Sequence, residues 1–143
     1  MAKILVVYYS LGGNTEAAAN AVAEGAAAEG AEVQVKTGLE ATPEDLLECD
    51  AIAVGSYDAF SYMAGGLKDF FDRAYYPTQG QVTNKPCGIF LTHGGGGRAM
   101  ESLESICQSF KFKVVGEPVS VKGAPDAAAE GLLRELGVGL AKA

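Results

Sequence analysis

The chain has no tryptophan and only one histidine, three cysteines and five prolines, and its 11 basic residues are outnumbered by 18 acidic ones. Each shortage narrows what the protein can be. A net charge of −7 argues against nucleic acid or anionic lipid as partner and favours basic protein surfaces. Cys49, Cys87 and Cys107 are odd in number, far apart in sequence and without a His or Cys at metal-ligand spacing. They read as buried, reduced thiols, which excludes a disulfide framework or a metal centre. No uncharged apolar run is long enough for membrane insertion, and the first residues lack the charged and apolar regions of a signal peptide, so a cytoplasmic protein is expected.

What is present is ample apolar content, 48% of 143 residues, enough for one domain spanning residues 1–143. Ile4-Leu5-Val6-Val7-Tyr8-Tyr9 is a continuous, β-branched-rich run, as expected of a strand covered on both faces. Residues 14–29 read as an alanine-rich helix. Residues 32–36 alternate polar and apolar like a half-exposed edge strand, and Thr42-Pro43-Glu44-Asp45 starts a short helix. A buried strand over 51–55 follows, then an amphipathic helix on Leu67, Phe70, Phe71, Ala74 and Tyr75. Residues 87–92 form the next strand, and Leu103, Ile106, Cys107 and Phe110 the next helical stripe. Val114-Val115 and Val119-Ser120-Val121 read as one strand kinked around Gly116 and Pro118. Pro125-Asp126 opens a last helix whose expected buried face is Ala129, Leu132, Leu133, Leu136 and Leu140. About five strands alternating with five helices imply an α/β, doubly wound parallel sheet.

Ligands in such sheets bind outside the carboxyl ends of the strands, which singles out three loops. The first, Ser10-Leu11-Gly12-Gly13-Asn14-Thr15, joins a buried strand to a helix N-terminus. Unpaired N–H groups, the helix dipole and the Ser10, Asn14 and Thr15 side chains suit a phosphate monoester there, although Asn14 or Thr15 as a simple N-cap would also explain the pattern. The lysine-bearing loop of nucleoside triphosphatases is missing, as is a G-x-G-x-x-G dinucleotide fingerprint. The strand ends Tyr8-Tyr9-Ser10 and Gly55-Ser56 carry no carboxylate for a phospho-accepting receiver, and Ser10 stands where a cysteine phosphatase needs its nucleophile.

The second loop, Ser56-Tyr57-Asp58-Ala59-Phe60-Ser61-Tyr62-Met63, offers aromatic faces to a flat conjugated ligand, or a small cluster packed beneath the loop. The third, Thr92-His93-Gly94-Gly95-Gly96-Gly97-Arg98, has more glycine than a turn needs, consistent with close approach of a ligand or with a flexible surface segment. His93, the only histidine, is the first candidate for proton delivery, the alternative being a solvated loop side chain.

With these loops in place the sequence resembles the flavodoxin-like FMN proteins over essentially its whole length. Ser10 to Thr15 is similar to the [ST]-x-[ST]-G-x-[ST] phosphate loop of short-chain flavodoxins, with Gly12 in place of one hydroxyl. Residues 55–70, with Phe60 before Met63-Ala64-Gly65, look like the corresponding segment of the WrbA-type NAD(P)H:quinone oxidoreductases, and the glycine loop is similar to the third flavin-binding loop of the same group. The resemblance implies a three-layer, flavodoxin-like sandwich around a five-stranded parallel sheet. It implies non-covalent FMN held by Ser10, Leu11, Gly12, Gly13, Asn14, Thr15, Ser56, Tyr57, Asp58, Ala59, Phe60, Thr92, His93, Gly94, Gly95, Gly96 and Gly97.

The expected function is an electron carrier that shuttles between redox partner proteins with basic docking surfaces. The alternative is an NAD(P)H:quinone oxidoreductase; a module acting by protein contact without cofactor is a third. The aromatic loop has no glycine between Ser56 and Ala64, so a positive-φ conformer at that place is expected to be expensive.

Overall fold

The computed structural model describes residues Met1–Ala143. In chain order the elements are β1 (Lys3–Tyr8), α1 (Asn14–Ala28), β2 (Glu32–Thr37), α2 (Pro43–Glu48), β3 (Ala51–Ala59), β4 (Tyr62–Met63), α3 (Gly65–Thr78), β5 (Pro86–His93), α4 (Met100–Ser109), β6 (Lys113–Val114), β7 (Val119–Lys122) and α5 (Ala127–Lys142). The sheet order is β2-β1-β3-β5, with β6 and then β7 sharing the fifth position beside β5, and all of these pairings are parallel. This is the α/β flavodoxin fold, with the order reversing between β1 and β3. No helix is long and apolar enough to cross a membrane.

The apolar run of β1 is unbroken because both of its faces are covered. Leu5 and Val7 join Ile52, Val54, Ile89, Phe70 and Phe71 in a core under α2, α3 and α4. Ile4 and Val6 join Ala53, Phe90, Leu133 and Leu136 in a second core under α1 and α5. Phe70 and Phe71 are fully buried, and burying such a side chain contributes about 1.5–3 kcal/mol. The alanine-rich surface of α1 is explained by α5. A Cβ at Gly25 would collide with the Arg134 carbonyl, and one at Gly137 with the Val22 carbonyl, so the two backbones touch where side chains are missing.

Helix α2 starts on a full capping box. Thr42 Oγ1 accepts from Asp45 N at 3.1 Å, and Asp45 Oδ2 accepts from Thr42 N at 2.9 Å and from Lys36 Nζ at 2.9 Å. Burial works against ionisation of Asp45, but the bonds from Lys36 and Thr42 outweigh it and hold the carboxyl below its ordinary value. The three cysteines are buried and free. Burial pushes the Cys49 thiol up to about 11. Cys87 and Cys107 lie 3.6 Å apart, Sγ to Sγ, and their hydrogen bond, then burial, holds the Cys87 thiol well above the ordinary range.

Three expectations are corrected. The segment after residue 55 is not a loop: β3 continues to Ala59 and turns back through β4, with Asp58 opposite Met63 and Ala59 opposite Tyr62. Leu132 is 55% exposed, because the buried stripe of α5 is centred on Leu133, Leu136, Gly137 and Leu140, and Leu132 falls a helical step to its side. The kinked last strand is two strands, β6 beside Pro86-Cys87 and β7 beside Phe90 to His93.

Candidate functional site

The carboxyl ends of β1, β3, β5 and β7 are brought level by the register, Tyr8 opposite Gly55, Gly55 opposite Phe90 and Phe90 opposite Val119. Their loops close on one open cleft of about 220 Å³, lined by Ser10, Leu11, Gly12, Asn14, Thr15, Tyr57, Asp58, Thr92, His93, Gly94 and Gly123.

On the first loop the cap of α1 is Gly13, at φ 99°, a left-handed conformation in which a side chain is strained. No side chain caps the helix, so neither Asn14 nor Thr15 is the N-cap. The N–H groups of Asn14, Thr15 and Glu16 have no acceptor in the protein, while Gly13 N–H donates to Ser10 Oγ at 3.1 Å. A Cβ on Gly12 would meet nothing within 4 Å. Thr15 is buried, and its hydroxyl bonds that of Thr92 at 2.7 Å. One of the two hydroxyls donates to the other, which leaves the second O–H for whatever enters the cleft. Orphan N–H groups at a positive helix end and a spare hydroxyl, with no carboxylate among these donors, fit an anionic phosphate.

On the second loop Tyr57 and Asp58 face the cleft, Tyr57 in a tilted contact with Tyr9 at 6.5 Å between ring centres. Ser56 points elsewhere. Fully buried, it accepts from Ala64 N at 2.8 Å and donates to Tyr57 O at 2.6 Å, bracing the hairpin from within. The hairpin tip holds Phe60 at φ 56° and Ser61 at φ 67°. Both are left-handed, each at a cost of roughly 1–2 kcal/mol without glycine, so the expensive conformer is the one adopted. Phe60 is fully exposed and Ala59 half-buried; neither lines the cleft.

On the third loop His93 Nδ1 accepts from Gly95 N at 3.0 Å. Gly94 lines the cleft, whereas Gly95, Gly96 and Gly97 do not, with Gly97 at φ 70°. Gly123, which sequence reasoning missed, closes the far wall and donates its N–H to His93 O at 2.8 Å. Its only advance signal was a glycine directly after the last strand.

Unpartnered N–H groups, hydroxyls and Tyr57 meet at the switch point of a doubly wound sheet, where ligands of such sheets bind. The flavodoxin family model matches residues 6–135, and the chain belongs to the flavodoxin family, whose cofactor is FMN. A flavodoxin of Aquifex aeolicus is 38% identical over 121 residues, which make up 81% of this chain; the chain spans 65% of that relative's length. An NAD(P)H dehydrogenase (quinone) of Rhodopseudomonas palustris is 36% identical over 141 residues, covering 81% of this chain and 71% of that protein. The structure of an archaeal flavodoxin superposes with a TM-score of 0.90 at 26% identity, covering 98% of this chain and 96% of that one.

Proposed function

We propose that the protein binds FMN non-covalently in this cleft and carries electrons between redox proteins. The observation that carries this reading is the row of unpartnered N–H groups at the start of α1, on the floor of a cleft too small to enclose a ligand. At about 220 Å³ it falls below the roughly 300–1,000 Å³ of an enclosing pocket, so part of a bound ligand stays at the surface, where a partner can reach it.

Ser10, Asn14 and Thr15, with the main-chain N–H groups of Asn14, Thr15 and Glu16, would hold the phosphate. No cation lies in that loop, so dipoles and hydroxyls carry the charge. Tyr57, with Thr92, His93 and Gly94 of the glycine loop, would flank the ring system. Bound FMN supplies the reversible redox chemistry, and the protein sets access to it and its potential. The carboxylate of Asp58, with the overall charge of −7, would disfavour added negative charge in the cleft and so lower the potential of the bound group. His93, on the cleft wall, would be the candidate for proton exchange with a bound group.

The second reading, NAD(P)H:quinone oxidoreduction, is favoured by the quinone dehydrogenase relative and by Phe60 with Met63-Ala64-Gly65. A steady-state assay of the FMN-loaded protein with NADH or NADPH and a benzoquinone separates the two. Negligible turnover alongside ready reduction by a flavodoxin reductase supports carriage. Turnover in the range of about 1–10³ per second would establish the enzyme instead.

A further inference from the structure

Asp58 stands at the turn of the aromatic hairpin, half-buried, and each of its carboxylate oxygens meets a main-chain donor from a different segment. Oδ1 accepts from Ser61 N at 2.8 Å, within the hairpin tip, and Oδ2 accepts from Ala99 N at 3.0 Å, where the glycine loop runs into α4. Asp58 forms no ion pair, so these two N–H groups are its partners, together with the positive end of α4, which begins one residue after Ala99.

Two consequences follow from peptide geometry. A trans peptide points its C=O opposite to its N–H, so fixing Ser61 N–H toward Asp58 fixes the Phe60 carbonyl in the opposite direction. The left-handed pair Phe60 and Ser61 has no glycine to relax it, and the Asp58 bond is the side-chain contact that holds the tip in that form. Across the cleft Ala99 caps α4 without a side-chain partner of its own, so the same carboxylate also pins the end of the glycine run.

We infer that Asp58 is a positioning residue, a latch that ties the aromatic hairpin to the glycine loop and sets the gap between the two walls that receive the flavin. This rests on the FMN reading for its functional half. A carboxylate suits the task because both its oxygens accept. An asparagine would offer one oxygen and turn an amide –NH2, itself a donor, toward an N–H.

Amide hydrogen exchange of the protein without flavin, read by NMR, tests the latch, and FMN titration tests its effect on the site. Asp58→Ala should speed exchange at Ser61 and Ala99 together and raise the FMN dissociation constant at least about tenfold, with Asp58→Asn falling between. Thr42→Ala, which removes the remote cap of α2, lowers overall stability and should leave FMN affinity within about twofold and exchange at Ser61 and Ala99 in step with the rest of the chain. Faster exchange at Ser61 with Ala99 unchanged would overturn the latch, as would FMN affinity unchanged in a folded Asp58→Asn protein. If the unaltered protein bound no FMN, the cofactor reading would fall, and the paired exchange at Ser61 and Ala99 would by itself decide the latch.

Discussion

At the scale of single residues, the buried Thr15–Thr92 hydroxyl pair links the fold to the site. Thr15→Ala would leave the Thr92 hydroxyl buried without its partner, at a cost of about 1–3 kcal/mol, and would also remove a donor from the cleft. Urea unfolding should show that loss and FMN titration a weaker complex, while Thr15→Ser, which keeps the hydroxyl, should stay near the unaltered protein in both. Asp45 gives a pH-dependent counterpart. Because its folded value lies below the ordinary one, its contribution is present above the ordinary carboxylate range and disappears as pH falls through the folded value. Asp45→Asn should therefore destabilise by about 1 kcal/mol at neutral pH, the usual worth of a cap, with the difference shrinking in acid when denaturation is followed against pH. Burial of all three cysteines, with the raised thiols of Cys49 and Cys87, makes them inert, so a thiol reagent at neutral pH should label none of the three until the protein unfolds.

Among the elements, the α1–α5 contact is the most sensitive to a small change. Alanine is the better helix former than glycine by about 1 kcal/mol, yet Gly137→Ala drives a methyl into the Val22 carbonyl. Overpacking of that kind costs about 1–3 kcal/mol and wins, so thermal unfolding should show a net loss. That crossing was not legible in the sequence, since two glycines more than a hundred positions apart look like ordinary helix weak points. The unbroken run of β1, the start of α2 at Thr42-Pro43 and the apolar spacing of α3 were legible, because each is a local pattern with one physical solution. The hairpin was not: its tip reads Phe60-Ser61, where a two-residue left-handed turn usually has Asn-Gly. Leu132 was misread because one step around a helix separates a buried position from an exposed one.

For the molecule as a whole, the place of the first loop, between a buried strand and a helix start on the cleft, could be read from its hydroxyls and glycines. Which of the later loop residues reach the cleft could not: Ser56, Phe60 and the last three glycines of the third loop lie off it, and Gly123 lies on it. Charge belongs to this scale too. With a net −7, reduction of the protein by a basic partner should slow as salt shortens the screening length from about 30 Å at 0.01 M to about 8 Å at 0.15 M, which stopped-flow absorbance would follow. The assignment of the cleft rests above all on the phosphate cradle, and fluorescence titration with FMN and with riboflavin, its phosphate-free form, isolates that feature. FMN should bind at least about a hundredfold more tightly, the worth of a few charge-assisted hydrogen bonds at the start of α1; equal affinity for the two, or no binding of FMN, would contradict it.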